Sequence, residues 1–118
     1  VEQMLPKVLG DTTRATRPDV VAEYRRVAGG QSAEGVAAAV AALRDRPDAT
    51  PGLADIRVPT LVVVGAEDAV TPPAGAKTLA AAIPGATLVE LPAAGHLSNL
   101  ETPAAFTAAV RAFLGKLA

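Results

Sequence analysis

The chain has 118 residues, the size of one ordinary domain, and half of them are apolar, enough for a buried core without disulfides or a structural metal. Twelve acidic against eleven basic residues leave a net charge of −1, and aromatic residues are only 3%, so the sequence offers neither the positive field nor the stacking platforms of a nucleic-acid binder. Cysteine is absent, which excludes thiol nucleophiles and thiolate metal sites, and no apolar run approaches the roughly 20 residues of a membrane-spanning helix.

Residues 1 to 55 read as helices and breakers, with no strand. Val1, Met4, Leu5, Val8 and Leu9 recur at helical spacing up to Gly10, and the following "DTTRATR" reads as a polar linker. Pro18 opens a second helix whose apolar face, Val20, Val21, Tyr24 and Val27, runs to Gly29 and Gly30. Ser32 caps a third, alanine-rich helix with Val36, Val40 and Leu43 along one side, and Pro47 and Pro51 stop it.

Past Pro59 the pattern changes. "TLVVVG" is a short continuous apolar run, rich in β-branched residues and bounded by Pro and Gly, as expected of a central parallel strand covered on both faces. After the loop "AEDAVTP", Thr71 and Pro72 cap and open a helix carrying Ala76, Leu79, Ala80 and Ile83, closed by Pro84 and Gly85. "ATLVEL" is a second strand and "PAAGHLSNLE" a loop. Thr102 and Pro103 then open a last helix bearing Phe106, Val110, Phe113, Leu114 and Leu117. The fold class is therefore α/β, with two parallel strands joined by one right-handed crossover. Two strands alone cannot bury both faces of a sheet, so the helical first half reads as laid over the strand ends, and the chain, which starts at Val1 in a helical pattern with no signal-peptide features, reads as part of something longer.

In open α/β sheets, reactive groups gather in the loops beyond the carboxyl ends of the strands. Here one such loop holds Glu67 and Asp68, and the other holds His96, the only histidine. If the strands are neighbours, a carboxylate reaches the imidazole, fixes its tautomer and leaves the other ring nitrogen free to take a proton. Plainer roles compete: His96 as a core histidine bonded to a helix end, Asp68 as a turn acceptor or helix cap. Glu67 is expected to face solvent. Ser98 and Asn99 fix the histidine loop, and Met4, Leu5 and Tyr24 are candidates to line a pocket if the first helices form a cap. One histidine without cysteine supplies too few ligands for zinc, so no metal and no cofactor are expected. A nucleophile elbow, G-x-S-x-G, is absent: the serines are Ser32 in "GGQSAEG" and Ser98.

"IRVPTLVVVGAEDAVTPP" followed by "AAAIPGATLVELPAAGHLSNLETPAAF" closely resembles the C-terminal part of bacterial α/β-hydrolase fold enzymes, in particular the group of 3-oxoadipate enol-lactonases and small esterases. The resemblance implies a C-terminal β-α-β-α segment of the hydrolase core at 53–118 and a remnant of the helical cap at 1–52. It implies Asp68 as triad acid, His96 as general base, and a small ester or lactone as substrate of the intact enzyme, a cytoplasmic protein. Perhydrolase or haloperoxidase-like chemistry runs on the same triad. The family's serine and oxyanion-hole residues have no counterpart here, so the chain alone is expected to be inactive. The alternative is a non-catalytic module that pairs with a second copy, or with the missing N-terminal half, through an open strand edge.

Overall fold

The computed structural model describes residues 1–117. β1 (Leu61–Gly65) and β2 (Thr87–Leu91) pair in parallel, in register from Leu61 opposite Thr87 to Gly65 opposite Leu91. Three consecutive valines favour the extended backbone of β1, and Gly65 ends it. α5 (Pro73–Ala82) makes the crossover, and α7 (Pro103–Leu114) follows β2; both pack against the strand pair. β1 alternates half-buried and buried positions, with Val62 and Val64 inside, instead of being buried on both faces as its composition suggested. Two helices leave one side of this pair partly open.

Four helices precede the strands: α1 (Leu5–Val8), α2 (Asp11–Thr16), α3 (Pro18–Gly29) and α4 (Ala33–Arg44), followed by a 3-10 turn at Thr50–Asp55. The first is shorter than its apolar spacing predicts, since residues 1–4 form only a turn. The expected linker "DTTRATR" is instead helical. α2 has no apolar stripe to announce it; its one buried residue is Thr13, and an ion pair between Asp11 and Arg14 spans its exposed side. Tertiary packing, not amphipathic patterning, holds this helix.

Leu5, Leu9 and Val20 form a buried cluster that Val8, Val21, Tyr24, Leu97 and Leu100 flank. The last two belong to the histidine loop and to α6 (Ser98–Glu101), a single helical turn inside the segment expected to be irregular. α1, Leu9 after it and α3 thus pack on the loop beyond the carboxyl end of β2. α4 begins as predicted, with the Ser32 hydroxyl accepting the Gly35 N–H at 3.0 Å, yet it buries no residue: Val36, Val40 and Leu43 are all exposed.

Two predicted caps work differently. Pro72, not Thr71, precedes α5, and Thr71 turns its hydroxyl to Asp68. Thr102 precedes α7, but its hydroxyl donates back to the Ser98 carbonyl at 3.1 Å. Among the described residues no helix is long and apolar enough to cross a membrane. Because Leu9 is 1% exposed and Leu43 65% exposed, Leu9→Ala is expected to destabilise the chain by about 2–5 kcal/mol and Leu43→Ala by less than about 0.5 kcal/mol. Urea unfolding of the two variants measures the contrast.

Candidate active site

The two loops meet because β1 ends on a residue that lets backbones touch. At Gly65 a Cβ would overlap the carbonyl oxygens of Ala94 and Gly95, so only glycine lets β1 run this close to the turn after β2. The approach extends the ladder past the strands: the Ala66 N–H donates to Leu91 O at 2.9 Å and the Glu67 N–H to Ala94 O at 2.8 Å. Ala93 takes a left-handed conformation, φ +56°, to turn the chain there.

Asp68 follows directly. Its Oδ1 accepts the Val70 and Thr71 N–H groups, both at 2.8 Å, which is the Asx-type turn that the plainer reading foresaw. Its Oδ2 accepts the Thr71 hydroxyl at 2.9 Å and lies 2.9 Å from His96 Nδ1, across 28 positions of sequence. The turn role and the imidazole contact are therefore both realised, one by each oxygen. Burial pushes the Asp68 carboxyl up, but the bonds from the Thr71 N–H, His96, the Thr71 hydroxyl and the Val70 N–H together outweigh it and hold the group below the ordinary carboxylate range.

The same atoms fix the imidazole tautomer. A carboxylate only accepts, and the single Thr71 hydroxyl proton goes to it, so the Thr71 oxygen, 3.2 Å from Nδ1, can also only accept. In the neutral ring Nδ1 therefore carries the proton and Nε2 the free lone pair. The Asp68 side chain is 5% exposed, whereas that of His96 is 35% exposed and borders a cavity of about 520 Å³. Asp68, Thr71, Ser98, Leu79 and the edge of β1 complete its wall. A buried carboxylate orienting a half-exposed imidazole is an arrangement able to abstract a proton from a nucleophile placed in such a cavity.

The other candidates divide. Glu67 does not face solvent freely; it accepts the Thr12 N–H at 2.8 Å and the Thr12 hydroxyl, because the start of α2 lies against it. Ser98 is buried at the cavity wall, and Asn99 is exposed on a separate groove beside α3. Leu5 belongs to the core and Tyr24 packs on it, so neither lines the cavity at His96, nor does Met4. Thr71 and Glu101 were missed as site-shaping residues. The S-x-x-E spacing from Ser98 would aim Glu101 at the Ser98 N–H, whereas Leu97 precedes α6 and Glu101 Oε1 accepts the Leu97 N–H at 3.1 Å. Among the described residues no cluster of three His, Asp or Glu side chains could hold a metal ion.

The model of the alpha/beta hydrolase family matches residues 3–110. The chain belongs to the α/β-hydrolase family. A 3-oxoadipate enol-lactonase of Acinetobacter baylyi is 39% identical over 97 residues, which cover 82% of this chain and 36% of that enzyme. The structure of a thermophilic esterase from Thermogutta terrifontis, with malate bound, superposes with a TM-score of 0.94 and 38% identity over 98% of this chain and 42% of the esterase. The enol-lactonase of Burkholderia xenovorans does so at 0.87, with 38% identity, over 97% and 43%. The chain thus spans well under half the length of these relatives, and its α/β architecture is that of part of the hydrolase fold.

The depressed Asp68 carboxyl gives a pH signature. A group that titrates lower in the folded than in the unfolded chain stabilises above the unfolded value, about 3.9, and loses that contribution as pH falls through the folded one. The difference in urea midpoint between the chain and Asp68→Asn is therefore expected to be larger at about pH 5 than at about pH 3. A difference that grows on acidification over this interval contradicts the assignment.

Proposed function

We propose that this chain carries the acid and base of a serine hydrolase triad acting on small esters or lactones, with Asp68 the acid and His96 the general base. The observation that carries this reading is the 2.9 Å contact from Asp68 Oδ2 to His96 Nδ1, at the carboxyl ends of two parallel strands and beside a cavity. In the reaction Nε2 takes the proton of a serine hydroxyl as it attacks the substrate carbonyl, and returns it to the leaving oxygen. Water, deprotonated by the same nitrogen, then hydrolyses the acyl-enzyme. Asp68 holds the ring and stabilises the imidazolium without taking the proton. The sequence holds no G-x-S-x-G, so the serine and the oxyanion hole come from outside these residues, and the chain by itself has no acyl-enzyme to form. Residues 1–52 contribute part of a cap, and residues 53–118 the core segment with the pair. The enol-lactonase and esterase relatives support the substrate class.

The test is to exchange this chain for the matching segment of the Acinetobacter enzyme and follow p-nitrophenyl acetate hydrolysis. Turnover by the exchanged protein, lowered at least about a thousandfold by His96→Ala and comparably by Asp68→Asn, is the expected result. Turnover that survives His96→Ala in a folded protein removes the reading.

A second reading, a non-catalytic module that pairs with another copy, is favoured by two features: the apolar side of α4, with Val36, Val40 and Leu43 exposed, and β1, which has a strand partner on one edge only among the described residues. It predicts a dimer in sedimentation equilibrium that Val40→Glu dissociates. A monomer up to about 100 μM rules it out.

A further inference from the structure

Beyond the strand ends, a third segment, distant from both in sequence, bonds to the acid loop and to the histidine loop. The Val8 carbonyl accepts the His96 N–H at 2.9 Å and the Leu97 N–H at 3.4 Å. Two residues on, the Gly10 N–H donates to Glu101 Oε2 at 2.8 Å, across 91 positions of sequence. Two further on, the Thr12 N–H donates to Glu67 Oε2 at 2.8 Å and its hydroxyl to Oε1, across 55 positions. Glu67 is the neighbour of Asp68, and Glu101 holds Leu97, the neighbour of His96, through its other oxygen. Residues 8–12 therefore cross both loops and grip each one beside the residue that does the chemistry.

The fit is close. A Cβ at Gly10 would press on the Glu67 carboxylate, and one at Gly95 would overlap the Gly10 nitrogen. Glu101 is 2% exposed with both oxygens bonded to backbone N–H groups, a costly burial that persists only where the surrounding geometry is fixed. Neither Glu67 nor Glu101 hydrogen-bonds to Asp68 or His96 through its side chain, and neither lines the cavity.

We propose that residues 8–12 form a positioning strap that sets the distance between the acid and histidine loops, with Glu67 and Glu101 as the positioning residues that fasten it. The proposal rests on the reading of Asp68 and His96 as acid and base, and deepens it by making their contact depend on a segment ahead of the strands. Loosening either fastening lets the loops separate, and the Nδ1–H bond opens more often.

His96 is the only histidine, so in the ¹⁵N-labelled 118-residue chain one imidazole reports the pair directly. The measurement is the rate at which its Nδ1–H proton exchanges with water. Thr12→Val removes one fastening bond at an exposed position, and Glu101→Gln sets an amide NH₂ against an incoming N–H. Each is expected to speed exchange roughly fivefold or more, and Thr12→Ser to return it to within about twofold of the original. Ser32→Ala, which removes the α4 cap far from the strap, is the control for general destabilisation. Exchange in Thr12→Val and Glu101→Gln no faster than in Ser32→Ala overturns the strap and leaves the acid–base reading intact. An Nδ1–H unprotected in the original chain and indifferent to Asp68→Asn overturns both.

Discussion

The backbone of Gly65 lies against the turn at Ala94 and Gly95, and everything at the site follows from that approach. A side chain there would push the acid loop away from the histidine loop, breaking the Glu67 N–H to Ala94 carbonyl bond that carries the ladder past the strands. Parallel pairing alone brings the two loops to one rim. It does not bring them to hydrogen-bond distance. Gly65 does, by removing the atoms that would otherwise keep the acid and histidine loops apart, while Gly95 lets residues 9 and 10 lie against the histidine loop.

Given that approach, the electrostatics are set by a division of labour within one carboxylate. One oxygen of Asp68 is saturated by backbone N–H groups of its own turn, which fixes the side chain and favours its charge. The other faces Thr71 and His96, where a single hydroxyl proton settles which ring nitrogen is protonated. The bonds that stabilise the anion thus also aim Nε2 at the cavity as the nitrogen that holds the lone pair in the neutral ring. A lone His–Asp pair on a surface would be screened and free to reorient; burial of Asp68 prevents both.

The rest of the molecule shows what this segment of the hydrolase fold completes for itself and what it leaves open. The core around Leu5, Leu9 and Val20 closes over the histidine loop, so the histidine side of the site is braced by residues far away in sequence. β1, in contrast, keeps half-buried positions on one face, and α4 presents its apolar stripe to solvent. These surfaces carry the sequence signature of burial without being buried. Relatives more than twice as long, sharing the architecture over nearly all of this chain, fit the same picture.

What the sequence determined by itself was whatever local chemistry encodes. The valine run 62–64, the proline-opened helices at Pro18 and Pro103 and the Ser32 cap were legible because strand propensity, fixed proline φ and hydroxyl capping act over a few residues. Asp68 and His96 were legible as a pair because the strand-loop rule turns two distant loops into neighbours. Only the tertiary structure decided the rest. α2 has no periodic apolar face, so nothing short of its packing shows that "DTTRATR" is helical. Glu67 was expected in solvent and Thr71 at a helix cap. Their true partners, Thr12 in one case and Asp68 with His96 in the other, were settled by which segments crossed in space, since polar side chains bond to whatever donor or acceptor folding brings within about 3 Å.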